Sequence, residues 1–533
     1  MIDLSGNYII SIFTLFFLPI LYAETHYRFK YFFSYLKKNE PEIIADIPSR
    51  IRKGDKIPLL IIVKDADKYP VKLKTIDIYE NDKMLYSREV CAVITDRFKD
   101  VILHLASDIF PIGEHCLDIK ITYQVNGKNK ICFADNHRGT SHRGLPIYIS
   151  SDSLPRFQNC LLGETHAHSN YTSDQVEFGA SLSATTKLAR ALGLNFFCVT
   201  DHSYDLDDDQ ADYLNNDPGL RKWRNFLEEV KQLNLADNNI LIIPGEEVTV
   251  SNSKRKNVHI LVYNSEQFFP GSGDSGEKWF YNRSELSITD LVSKVTDASA
   301  VFAAHPAETP PFLQRIFINR GIWEANDCQM TKIDGLQFIN GGEEQFNALG
   351  KRLWIQQLLE GYRLIGLAGN DAHGNFSRFR QVGFPFFTMR ENYFHLFGKW
   401  WTGVFVDSIE NDGDKVVSRL REGNCYLSNG PAIKMHAYSA EKWFPMGSNC
   451  SVPHKLKLAC LSSEEFSELK EVIFIIGNIE KKVEIEYFKH TFTESVYNFS
   501  KEINLKSLPE KGYFRTEVNT VSGHQAFSNP IWF

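Results

Sequence analysis

Two histidines stand one residue apart in Gly163-Glu164-Thr165-His166-Ala167-His168, directly after the apolar run Cys160-Leu161-Leu162, and Ser173-Asp174 follows just behind. On a strand, residues i and i+2 point to the same side. The imidazoles of His166 and His168 can therefore converge on one point, as a pair of metal ligands must. A single His-x-His carries little weight alone; further ligands at matching places give it force. Asp201-His202 follows the apolar run Phe196–Thr200, and Gly245-Glu246-Glu247 follows Ile240–Ile243. His259 lies within Asn257–Tyr263, His305 follows Ala300–Ala304, and Asn370-Asp371-Ala372-His373 follows Arg363–Ala368.

Each of those runs reads as a β-strand, and helical spacing fills several of the gaps between them. Leu182, Leu188, Ala189 and Leu192 mark one helix; Trp223, Phe226, Leu227, Val230 and Leu233 mark another; segments 288–298 and 351–360 add two more. Alternation of this kind from about 156 to 432 predicts a parallel β/α barrel or an open sheet. In such barrels the active site sits at the C-terminal ends of the strands. Six of the sixteen histidines fall at or near those ends. For any one of them an ordinary core or surface histidine is the simpler reading, but unrelated histidines have no reason to collect there.

The residue types limit the metal. Imidazole and carboxylate without cysteine suit Zn, Mn or Fe. The candidate ligands at the strand ends are His166, His168, His202, His259, His305 and His373, with Asp201, Glu246 or Glu247, and Asp371 beside them. They are too many for one ion, so two or three ions sharing a carboxylate are expected. Such a cluster brings the pKa of bound water toward neutrality and clamps both attacking and leaving oxygens. That is hydrolytic chemistry, with phosphoesters the usual substrates.

These ordered motifs, His166-Ala-His168 with Asp174, Thr200-Asp-His202, Gly245-Glu-Glu247, His259, His305-Pro306 and Asp371-Ala-His373, resemble the PHP (polymerase and histidinol phosphatase) domain, and more closely its CehA/McbA-like metallohydrolase branch. The resemblance covers roughly 156–432. It implies an α/β fold, a distorted (β/α)7 barrel, with three metals and nine ligands. His166, His168, Glu247 and Asp371 would hold the first ion. Glu247 would bridge to a second, completed by His259 and His305. Asp174, His202 and His373 would hold the third; Asp174 stands where the family often has histidine. The family's Gly-x-Glu spacing selects Glu247 over Glu246. The segments Arg419–Pro431 and Ser528-Asn529-Pro530 match the branch less closely and read as structural turns.

The expected activity is therefore metal-dependent hydrolysis by a metal-activated hydroxide, on a small-molecule phosphoester. Asp201, beside His202, could orient that imidazole or simply cap a helix. Arg378 and Arg380, shortly after His373, are placed to neutralise a phosphate, with Lys254 and Arg255 as rivals. The CehA side of the branch implies an alternative, carbamate or carboxyl-ester hydrolysis. A membrane-associated binding module with structural metals is a third reading.

The flanks read differently. Residues 41–150 form short strands without helical periodicity, including Leu117–Val125, the turn pair Asn126-Gly127 and Ile131–Phe133, and predict a β-sandwich. Residues 433–533 return to β and predict a small closing β domain. At 533 residues, three or four domains are expected. The net charge of −7 offers no basic surplus of the kind a general nucleic-acid binder carries. Nine cysteines, odd in number, irregularly spaced and without Cys-x-x-Cys, argue against a disulfide framework and a thiolate zinc site. Within residues 1–40, positions 8–22 are nearly all apolar, and His26, Arg28, Lys30, Lys37 and Lys38 follow, interleaved with aromatic residues. That asymmetry favours membrane association with the catalytic domain on the cytoplasmic side. A cleavable signal in an exported protein, or a core helix in a cytoplasmic one, are the alternatives.

Overall fold

The computed structural model of the chain describes residues 40–533 apart from 138–141, 173–178, 210–214, 237–238, 275–280, 384–387 and 409–411. The apolar segment 8–22 and Asp174 lie outside the described residues. Among those described, no helix is long and apolar enough to cross a membrane.

Two sheets make up the N-terminal part. Glu42–Asp46, Lys56–Lys64 and Phe98–Ala106 form one; Arg50–Arg52, Leu145–Ser150, Gly113–Val125, Val71–Glu80, Lys83–Ile94 and Lys128–Phe133 form the other. They share one buried core that includes Ile43, Ile61, Val63, Leu73, Ile76, Ile119 and Ile121. Asn126 and Gly127 both take positive φ, 50° and 76°, as the tight turn between Gly113–Val125 and Lys128–Phe133 requires. Asp46, on the first strand, accepts hydrogen bonds from the Phe376 and Ser377 backbone N–H groups at 2.9 and 3.1 Å. It thereby pins the segment just after His373.

The helix-rich (β/α)7 barrel expected for 156–432 is not what the chain forms. The structure is mostly β, with 44% strand against 17% helix. Cys160–His168, Phe196–Val199 and Leu241–Ser251 pair in parallel. Leu241–Ser251 and Asn257–Tyr263 then pair antiparallel, as do Asn257–Tyr263 and Ala300–Ala304. Ala300–Ala304, Gly335–Asn340 and Ile365–Gly369 return to parallel pairing. On its other side Cys160–His168 pairs antiparallel with Trp401–Phe405. From there the same sheet continues through Cys425–Ser428 and Gln525–Ser528 into Gly512–Thr520, Leu469–Asn478 and Val483–Thr491, a 15-stranded whole.

Two physical reasons account for the difference. The segment 252–256 is too short for a parallel crossover and admits only a hairpin. The outer edge of Ile365–Gly369 is also satisfied without a barrel-closing ladder. Asn529 accepts from Gly366 N at 2.7 Å and donates to Gly366 O at 3.0 Å. Thr402 Oγ1 accepts from Ala368 N at 3.1 Å, and Thr165 Oγ1 donates to Ala368 O at 2.8 Å. The edge still comes so close that a Cβ on Gly369 would lie 2.7 Å from that of His166.

A separate four-stranded sheet, Lys442–Pro445, Ala432–Ser439, Lys455–Leu461 and Asn498–Asn504, completes the C-terminal part. Arg50 ties three regions together: it forms an ion pair with Glu465 at 2.8 Å and donates to Leu192 O at 2.9 Å.

Asn529 is fully buried, and removing its amide orphans the Gly366 N–H. Asn529→Ala is expected to destabilise the protein by about 1–3 kcal/mol, read as a lower denaturant midpoint at unchanged m-value. An unshifted midpoint would show that the amide does not hold this edge.

Candidate metal centre

The ligand candidates reach one place from separate elements. His166 and His168 lie on Cys160–His168, on the same side of the strand. Ala372–His373 pairs in parallel with Ala167–His168, opposing His373 to His168. Their rings stack with centroids 4.1 Å apart. Glu247 is opposite Leu261 and His259 opposite Thr249, which makes Glu247 and His259 diagonal neighbours on one face. His202 bridges in parallel to Glu247. Asp371 and His305 stand just past the ends of their strands with positive φ, 52° and 29°. For non-glycine residues that backbone costs on the order of 1–3 kcal/mol and persists where the surroundings hold it.

Glu247 is the hub. Its Oε1 lies 2.6 Å from His259 Nδ1, 3.1 Å from His305 Nε2 and 3.5 Å from His166 Nε2. Its Oε2 lies 3.0 Å from His202 Nδ1 and 3.6 Å from His168 Nε2. Asp371 Oδ1 is 3.0 Å from His168 Nε2 and 3.4 Å from His166 Nε2. Three overlapping groups have ligand atoms close enough to hold an ion: His166, His168, Glu247 and Asp371; His202, Glu247 and His259; and His168, His202 and His373. Glu246 points elsewhere, accepting from Ser203 Oγ at 2.9 Å and Phe269 N at 3.1 Å.

The donor set fits a cation. His166 Nε2, His202 Nδ1 and Glu247 Oε2 are buried with no hydrogen-bond partner, although they lie within ion-pair distance of other members of the cluster. Buried polar atoms are rarely left so. Electrostatics divides the imidazoles. Burial disfavours charge on His166, but Asp371 and Glu247 outweigh it and push its pKa up to about 9. Burial, His373 and His202 hold His168 well below the usual histidine range, so it is neutral. Burial opposes ionisation of Glu247, yet His259 and His166 hold it well below the usual carboxylate range. Buried His, Glu and Asp groups able to hold a metal ion are thus present.

The other expected residues fall as follows. Asp201 is fully buried, but it accepts from Ser169 N and Thr172 N at 2.7 and 3.0 Å and from Ser169 Oγ at 2.6 Å. It shapes the turn after His168, its side-chain oxygens being given to Ser169 and Thr172. Arg378 is buried and donates to the Gly144 and Arg143 carbonyls, toward the N-terminal part. The side chain of Arg380 is not among those described. Lys254 is paired with Glu324 at 2.8 Å. Arg255 takes a positive φ of 58° in the turn before Asn257–Tyr263. Glu164 and Thr165 are scaffold. Glu164 accepts from the backbone N–H groups of His166, Asn370 and Gly398, each at 3.0 Å, holding the residue before Asp371.

Three contributors were not anticipated. Asp274 Oδ2 sits 2.6 Å from His259 Nε2 and is also bonded by Arg320. Gln337 Oε1 lies 3.2 Å from His166 Nδ1 and accepts from His305 N at 3.0 Å. Asp274 belongs to the run Gly271-Ser-Gly-Asp-Ser-Gly, whose composition signals only a loop. Arg320 follows the short helix Phe312–Phe317 without a motif around it.

No family model matches the chain, and no curated protein matches it. Similar solved structures are remote. Trypsin-activated alpha-2-macroglobulin from Escherichia coli is 8% identical, with 92% of this chain and 23% of that one covered, at a TM-score of 0.15. A cycloisomaltooligosaccharide glucanotransferase from Paenibacillus sp. is 9% identical, covering 92% and 71%, at 0.17. A β-D-mannosidase from Dictyoglomus thermophilum is 11% identical, covering 92% and 66%, at 0.22. This chain therefore spans under a quarter of the macroglobulin's length. TM-scores of this size carry no argument about activity.

A carboxylate on the far nitrogen of a ligating histidine fixes its tautomer and orientation, and its loss typically costs 10–100-fold in metal affinity. Asp274→Asn is therefore expected to weaken Mn or Zn binding by about 10–100-fold in calorimetric titration. Wild-type affinity in that variant would remove Asp274 from the centre.

Proposed function

We propose that this protein is a metal-dependent hydrolase acting on phosphoesters, with two or three ions of Zn, Mn or Fe at the Glu247 cluster. The observation that carries the reading is the convergence on Glu247 of five imidazoles from four separate places in the chain, with several of the cluster's polar atoms lacking a hydrogen bond. Motif order along the chain, which resembles that of the CehA/McbA-like PHP hydrolases, supports the same chemistry. It does so through the ligands and not through the barrel. Divalent ions held there supply an acidified water and neutralise charge on the departing oxygen.

The chain's own residues contribute position and dryness. Glu247 and Asp371 are the anionic ligands, kept ionised by the imidazoles around them. Burial, His373 and His202 hold His168 well below the usual histidine range, which favours the neutral form a metal ligand needs. The Tyr204 ring stacks on His202 with centroids 4.7 Å apart, which limits rotation of that imidazole. Asp274 takes the outer nitrogen of His259, leaving Nδ1 for the centre. Burial of most of the set, with Asp371 and His373 only partly covered, lowers the local dielectric and strengthens these interactions.

The test combines elemental analysis with a substrate panel: p-nitrophenyl phosphate, bis-p-nitrophenyl phosphate, p-nitrophenyl acetate and an aryl carbamate, each with added Mn or Zn. Turnover of a phosphoester is expected. His168→Ala and Asp371→Ala should each lower kcat/KM by about a thousandfold, the scale of losing an electrostatic group at a reacting centre. Full activity in either variant sinks the assignment. Turnover confined to the acetate or carbamate would move the reading to carboxyl-ester or carbamate hydrolysis. Bound metal without turnover would leave a binding module.

A further inference from the structure

A phosphoester hydrolase must offset the negative charge of its substrate, and among the described side chains two of the cations nearest the cluster in sequence are engaged elsewhere. Arg378 spends its guanidinium on the Arg143 and Gly144 carbonyls, and Lys254 is exposed and paired with Glu324. Arg320 does reach the cluster. Its Nη2 lies 3.2 Å from His259 Nδ1, the same nitrogen that sits 2.6 Å from Glu247. Its Nη1 is bonded to Asp274.

Both backbone and side chain hold Arg320 in place. It bridges in parallel to Asn257, at the head of the strand that carries His259. Asn257 N donates to Asn319 O at 3.0 Å, and Gly321 N donates to Asn257 O at 2.9 Å. Arg320 lines a cavity together with His259, His305, Glu308 and Trp323. Its side chain keeps 19% exposure, whereas Asp274 keeps 2%.

We infer that Arg320 is the anion-binding residue of this site, and that it selects substrates bearing a phosphoryl group over neutral esters. The inference rests on the hydrolase reading above. A guanidinium offers five N–H donors in a planar fork that matches phosphate oxygens. Asp274 engages Nη1, and the Nη2 side is left for a ligand, because a His259 Nδ1 turned to the centre cannot also accept from it. An anion held beside His259 Nδ1 is within reach of Nη2, and a charge-assisted, two-pronged contact there is worth far more to a phosphate than to an uncharged ester. Asp274 has two roles in this arrangement: it orients His259 and it aims Arg320.

Arg320→Ala and Arg320→Lys, each loaded with Mn, test this through metal content by elemental analysis and inorganic phosphate binding by calorimetry. Arg320→Ala is expected to keep its metal and bind phosphate at least about tenfold more weakly. Arg320→Lys, which keeps the charge but not the fork, should recover part of that loss. Wild-type phosphate affinity in Arg320→Ala overturns the inference. So does loss of metal in both variants, which would make Arg320 only the counter-ion of Asp274. If Arg320→Ala alone loses metal, weakened phosphate binding by the metal-loaded lysine variant supports the inference, and wild-type binding overturns it. The hydrolase reading fails separately. A wild-type protein that binds phosphate through Arg320 yet turns over no panel substrate refutes it and leaves the anion site. An active phosphoesterase whose Arg320→Ala variant keeps its phosphate affinity refutes only the anion site.

Discussion

A buried carboxylate has to be paid for, and at Glu247 the compensation comes from five imidazoles within 3.6 Å of its two oxygens. Removing an ion from water costs several kcal/mol even after the protein relaxes. His259 and His166 recover that cost and hold Glu247 ionised. Asp371 repeats the arrangement against His166 and His168. The cluster keeps His166 Nε2, His202 Nδ1 and Glu247 Oε2 buried without a hydrogen bond, and a divalent cation fits such a set.

Everything around the hub serves to bring those side chains within reach. The ligands come from strands distributed along a sheet, and they meet because its Ile365–Gly369 edge comes against Cys160–His168. Glycine at 369 permits the approach, since a Cβ there would meet His166. Side chains do the joining that a ladder would do in a closed barrel. Thr165, Thr402 and Asn529 satisfy the edge, and Glu164 grips the residues beside Asp371. Asp46, from the N-terminal part, holds the segment following His373. The flanking β regions therefore contribute to the geometry of the centre.

The positive side of the site is arranged less directly. Proximity in sequence favoured Arg378, yet that guanidinium caps carbonyls of the N-terminal part. Arg320 reaches the centre instead because its backbone is laid against the strand that bears His259. Asp274 then couples the two, touching the imidazole and the guanidinium with one oxygen.

Much of the cluster around Glu247 was legible in the sequence, because a residue able to hold a metal must be one of a few types and strand periodicity limits where it points. His166, His168, His202, Glu247, His259, His305, Asp371 and His373 could be named from that rule and from the resemblance it led to. The sequence alone also marked the Asn126-Gly127 turn, since few residue pairs tolerate positive φ twice running. The tertiary structure alone decided the pairing sense of the strands, which overturned the expected (β/α)7 barrel: hydrophobic runs look the same whether their neighbour is parallel or antiparallel. It also decided the roles of Asp201, Asp274, Arg320 and Arg378. A carboxylate or guanidinium carries no local sign of its partner when that partner lies tens or hundreds of residues away, and only the folded chain brings them within hydrogen-bonding distance.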